Sequence, residues 1–81
     1  MMLIPSSCLA EIIKSQINGE FEGFNHGNVY ELMNGQAWVQ IEQKYYYYYS
    51  LCPEVTIFEN NGYYYMEVNE IHQAVAVQQV N

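Results

Sequence analysis

The side chains in this 81-residue chain best suited to metal ligation or nucleophilic attack are Cys8, Cys52, His26 and His72. They are scattered, with no C-x-x-C and no H-x-x-x-H spacing between them. Both histidines read as surface-loop residues, His26 within a turn, and both cysteines as free thiols. Cys52 precedes Pro53 in a tight turn. A reactive thiol there needs a positive neighbourhood to lower its pKa, and nine glutamates against two lysines work the other way. Cys52 is therefore read as an inert turn residue. Glu20 and Glu22 flank Phe21 and project from one face of a strand, roughly 6.5–7 Å apart. That separation suits the carboxylate pair of a glycoside hydrolase or part of a calcium site. Neighbours on an outer sheet face offer no cleft, however, and read as solvated charges. Neither the dinucleotide fingerprint nor the phosphate-binding glycine loop occurs. The expectation is a non-enzymatic protein with no catalytic, cofactor-binding or metal residues.

The remaining candidates are aromatic. Nine of the thirteen aromatic residues are tyrosine, five of them consecutive in "KYYYYYS", residues 44–50. What they do depends on the elements that carry them. Turn signals recur as "NHGN" at 25–28, "NG" at 34–35, "CP" at 52–53 and "NNG" at 60–62. β-Branched, aromatic or alternating residues fill the intervals, predicting strands near 13–24, 28–33, 36–50, 54–60, 63–69 and 74–80. The fold class expected is all-β: a small bent antiparallel meander closing into an SH3-like barrel. Residues 1–11 are a leader, or one short helical turn in "SCLAEIIKS", and 12–81 form a single domain, which is all that this length allows.

Hairpins centred on Asn34-Gly35, Cys52 and Asn61-Gly62 set the facing. They direct Tyr30, Leu32, Ala37, Val39, Ile41, Tyr45, Tyr47, Tyr49, Val55, Ile57, Tyr64, Met66 and Val68 inward. Ile13, Ile17 and Phe21 join from the first strand, Val75 and Val77 from the last. Tyr46, Phe58 and Tyr65 become cross-strand neighbours on the outer face, with Tyr48 and Tyr63 beside them and Trp38 also outward. An exposed Trp is either half-covered, here by "CLAEII", or a binding hot spot. Contiguous apolar surface of this kind marks an interaction site. These six residues are the expected interaction surface of a binding or self-association module. A carbohydrate-binding module is the alternative, because flat aromatic rows also stack on sugars, and a small hydrolase is third.

The stretch "SQINGEFEGFNHGNVYELMNGQAWVQ", the tyrosine run and "CPEVTIFENNGYYYMEV" together resemble a group of small uncharacterised bacterial β-rich proteins. Their pattern is GEFEGW, NGQ-x-W-x-Q, alternating aromatic and histidine, Pro-x-Val-x-Ile and Gly-Tyr-x-Met-x-Val, covering about residues 15–80. The chain departs from it at Phe24, where the group favours Trp, at Tyr46 and Tyr48, where it favours His, and at Cys52, which replaces a basic residue. The resemblance implies a β-rich fold and no chemistry.

A formal charge of −7 repels phosphate backbones and anionic lipid, so neither nucleic acid nor membrane is an expected partner. No apolar run approaches the roughly 20 residues of a membrane helix. A protein partner or a second copy, in the cytoplasm, is expected.

Overall fold

The computed structural model describes residues 12–81. The expected leader and Cys8 lie outside the described residues. Ile12–Ser15, the end of "SCLAEIIKS", is strand rather than helical turn.

The protein is all-β. Eight strands run β1 Ile12–Gln16, β2 Glu20–Phe21, β3 Val29–Glu31, β4 Ala37–Gln40, β5 Ser50–Leu51, β6 Glu54–Asn60, β7 Tyr63–Val68 and β8 Gln73–Gln79. Six form an antiparallel sheet in the order β1-β6-β7-β8-β4-β3, and β2 and β5 form a separate pair. Full closure into the expected SH3-like barrel is not detected among the described residues: β1 and β3 share no continuous ladder. The chain beyond them meets at one bridge, Ile17 opposite Leu32. Two bonds back it, from Asn18 N–H to the Glu31 carbonyl and from Met33 N–H to the Gln16 carbonyl, both 2.8 Å.

The three expected hairpins have three outcomes. Asn61 and Gly62 have φ of 55° and 88°, as a two-residue turn requires. The β6–β7 register follows as expected, with Val55 opposite Val68, Ile57 opposite Met66 and Phe58 opposite Tyr65.

At Asn34-Gly35 the turn is one residue longer. Gly35 N–H bonds back to the Leu32 carbonyl at 3.0 Å and Leu32 N–H to the Gln36 carbonyl at 2.8 Å. Gly35, at φ 92°, takes the left-handed position that a three-residue loop needs. Tyr30 therefore faces Trp38, not Val39. A slip of one residue exchanges the two faces of a strand. Trp38 is only 2% exposed and Gln40 is buried with it, while Ala37 and Val39 turn away and Ile41 is exposed.

The Cys52 hairpin does not form. β1 occupies the place beside β6, with Ile12 opposite Phe58 and Ile13 opposite Ile57. β5 pairs with β2 instead, Glu20 opposite Leu51 and Phe21 opposite Ser50. Hydrogen bonding explains the substitution. Cys52 N–H is taken by the Gly19 carbonyl at 2.8 Å, and the Pro53 carbonyl accepts from Ile17 N–H at 3.0 Å. The chain entering β6 is thus already held by the segment after β1.

A single core results. Ile17, Phe21, Phe24, Tyr30, Leu32, Trp38, Val55, Ile57, Met66, Val68, Val75 and Val77 form one buried cluster, with Ile13, Tyr48, Tyr64 and Ile71 packed against it. Phe21 and Phe24 meet edge to face at 5.5 Å beneath the β2–β5 pair, and Trp38 leans on Tyr64 at 5.3 Å. Both separations lie in the favourable range for aromatic pairs.

Candidate functional site

The tyrosine run forms a strap outside the six-stranded sheet, and its hydrogen-bonded neighbour is the segment "GEFEGF". Beyond the β2–β5 pair the two segments meet again at a bridge between Phe24 and Tyr46. Phe24 N–H donates to the Tyr46 carbonyl at 2.7 Å, and Tyr46 N–H to the Phe24 carbonyl at 3.0 Å. From the Phe21–Ser50 pair to this bridge the strap has one more residue than its partner, which is a β-bulge. Gly23 makes room for it. Its φ is 106°, and a Cβ there would overlap the Tyr46 carbonyl and lie 2.8 Å from the Tyr47 Cα and 2.9 Å from the Tyr48 nitrogen.

Two further groups pin the strap. Gln40, buried, uses all four valences of its amide. Its Oε1 accepts from the Tyr30 hydroxyl at 2.7 Å and from Asn25 N–H at 2.9 Å. Its Nε2 donates to the Glu42 and Lys44 carbonyls, both at 2.9 Å. A buried amide so satisfied carries no desolvation penalty for unmet groups. Burial also pushes the Tyr30 hydroxyl above the usual tyrosine range. At the other end, Glu70 in the β7–β8 turn accepts from the Tyr48 hydroxyl at 2.5 Å and the Ser50 hydroxyl at 3.1 Å. The bond to Glu70 raises the Tyr48 pKa, since ionising the phenol would lose it beside a carboxylate.

These pins decide the facing of the strap. Tyr48 and Ser50 lean inward, whereas Tyr45, Tyr47, Tyr49 and Leu51 are 72%, 62%, 49% and 65% exposed. The expected inward set is therefore overturned: Tyr45, Tyr47 and Tyr49 are not core residues, while Tyr46 is exposed as expected at 38% and Tyr48 turns inward. The expected row Tyr46–Phe58–Tyr65 is also broken. Phe58 and Tyr65 do stack on the outer face, 5.7 Å apart, but Ile12 stands beside Phe58 where Tyr46 was expected. Tyr46 is bridged through its backbone to Phe24 and keeps an exposed side chain, Tyr48 is half-buried, and Tyr63 is exposed at the tip of the β6–β7 hairpin. Trp38 is not on the surface at all; its indole N–H donates to Gln36 Oε1 at 3.2 Å. Missed altogether were Leu51 as a surface residue and Gln40, Gly23 and Glu70 as supports.

Glu20 and Glu22 are exposed alongside the strap. The Tyr49 hydroxyl donates to Glu20 Oε2 at 3.3 Å. Lost hydration first, then the carboxylates of Glu20 and Glu22, push the Tyr49 pKa up. At the opposite end Lys44 Nζ lies 5.6 Å over the Phe24 ring. His26 and Cys52 sit in turns, and exposed His72 has Nδ1 3.8 Å from Glu67. Among the described residues no three His, Cys or Glu side chains converge as a metal site would require. None of the described helices is long and apolar enough to cross a membrane, there being no helix in this part of the chain. Compared with family models, curated proteins and solved structures, the chain matches none.

Proposed function

We propose that the chain is a small non-enzymatic protein-binding module whose contact surface is the strap, with Tyr45, Tyr47, Tyr49 and Leu51 as the contacting side chains. The observation that carries this reading is their exposure on a backbone fixed from three sides, by Gly23, Gln40 and Glu70. Exposed aromatics on a rigid support offer a partner large, stiff apolar area with little ordering cost, and tyrosine hydroxyls stay hydrated when unbound. The stacked pair Phe58 and Tyr65 with Ile12 is a second apolar surface, smaller in aromatic content. A cytoplasmic location, with Cys52 kept as a thiol, belongs to the same proposal, as does the resemblance to the small bacterial β-rich group.

The test is selection from a random displayed-peptide library on the immobilised chain, with the triple variant Tyr45→Ser, Tyr47→Ser, Tyr49→Ser as counter-target. The reading expects peptides that hold the parent chain and release the variant, whose urea midpoint should match the parent's. Peptides that bind both equally, or none at all, overturn it. A glycan array probed with the same two proteins decides the carbohydrate alternative, which requires a glycan bound by the parent and lost in the variant.

A further inference from the structure

We infer, resting on the strap as the contact surface, that its partner is an extended protein segment carrying arginine or lysine on alternate residues. The strap fixes the spacing. Tyr45, Tyr47, Tyr49 and Leu51 project outward at every second residue, which puts neighbouring side chains roughly 6.5–7 Å apart. An extended partner laid alongside presents its own alternate side chains at the same interval.

Charge selects what those side chains are. Glu20 lies opposite Leu51, and Glu22 follows on the same side of its segment, so both carboxylates border the outward tyrosines. Neither has a cation near it: the single ion pair among the described residues joins His72 to Glu67. Neither lysine of the chain forms an ion pair with Glu20 or Glu22 among the described residues: Lys14 lies on β1 and Lys44 stands over the Phe24 ring. Among the described residues the only hydrogen bond to the Glu20 carboxylate is the 3.3 Å contact from Tyr49. A cation from outside would find a carboxylate and a tyrosine face side by side. Guanidinium fits that pair better than ammonium, because its plane stacks on the ring while its edge reaches the carboxylate. Lys44 at the Tyr45 end makes the strap polar along its length, so the partner's charges belong at the Tyr49–Leu51 end. An acidic segment meets repulsion from both glutamates and from a chain of net charge −7.

Two short synthetic peptides test this, one alternating Arg and Thr, the other Gln and Thr, each titrated into the full 15N-labelled chain. The Arg–Thr peptide should shift resonances of residues 45–51 and of Glu20 and Glu22, and bind about tenfold more tightly than the Gln–Thr peptide, the value of two exposed ion pairs. In the double variant Glu20→Gln, Glu22→Gln the two peptides should become equal. If the double variant keeps the Arg preference, or if the shifts fall around Glu54 or Glu59 instead, the inference is wrong. Equal binding of both peptides to the parent, abolished by Tyr45→Ser, Tyr47→Ser, Tyr49→Ser, sinks the charge inference and leaves the strap as a contact surface. Binding by neither peptide refutes the inference, while the library selection stands as the separate judge of the strap.

Discussion

Gly23 and Gln40 hold the strap from beneath, and substitutions at the two should fail for different reasons. Gly23→Ala combines left-handed strain with overlap against the strap backbone. Each effect costs about 1–3 kcal/mol, so a loss of about 2–6 kcal/mol is expected, a large share of a small domain's stability. Gly27→Ala is the control: φ is 89°, yet nothing lies near its Cβ, and the cost should be about 1–2 kcal/mol. Equal urea midpoints for the two would remove the packing argument. Gln40→Met keeps the volume but takes this partner from an amide N–H and two carbonyls and leaves the Tyr30 hydroxyl only its longer bond to the Gly23 carbonyl at 3.3 Å, for an expected loss of about 3 kcal/mol. Tyr30 adds a pH signature. Its folded pKa lies above the ordinary value of 10.0, so on raising the pH the unfolded chain surrenders this proton first. The contribution is whole below the ordinary value and drains away as pH rises toward the folded pKa. Tyr30→Phe should flatten that alkaline loss in urea melts taken from about pH 8 to about pH 11. An unchanged slope would mean that Tyr30 is not buried as described.

Among the elements, the strap and the β3–β4 hairpin show what a sequence can and cannot convey. The inward parity of β6, β7 and β8 was readable, since Val55, Ile57, Met66, Val68, Val75 and Val77 fall on alternate residues and the Asn61-Gly62 turn fixes the register that sets Phe58 and Tyr65 together on the other face. Asn34-Gly35 offers the same dipeptide to a two-residue and a three-residue loop, and only the tertiary demand for Trp38 in the core separates them. The strap was harder still. Five identical residues carry no parity of their own, and their facing is set by distant groups, Gly23, Gln40 and Glu70, that no local pattern connects. It follows that Tyr48→Ser should cost about 2–4 kcal/mol, through lost contact with the core and the bond to Glu70. Tyr47→Ser should stay within about 0.5 kcal/mol of the parent. Thermal or urea melts showing the reverse order would restore the opposite facing and remove the exposed tyrosine row.

At the scale of the whole molecule, charge opposes compactness. Glutamates without cationic partners repel one another across a domain whose core is a single cluster of a dozen buried apolar residues. Screening shortens that repulsion to about 10 Å at 0.1 M salt, so moderate sodium chloride should raise the urea midpoint at neutral pH. A midpoint that falls with salt would indicate favourable ion pairing instead. The same field explains why the outer face can carry exposed apolar side chains: copies of the chain meet as like charges before those faces touch. Sedimentation at low and moderate salt reads this directly, with association expected to increase as salt is added.

The way the strap is held has a consequence for how it can change. Its fixed points act on backbone atoms, on a glycine and on the inward side chains, whereas among the described residues the side chains of Tyr45, Tyr47 and Leu51 supply no hydrogen bond that the fold uses. The outward residues and the supporting residues are therefore different sets. Outward positions can be rewritten without asking the scaffold's consent, and a library randomised at 45, 47 and 51 should yield mostly folded variants that differ in what they grip. If the row is the proposed contact surface, drift along it alters recognition long before it alters shape.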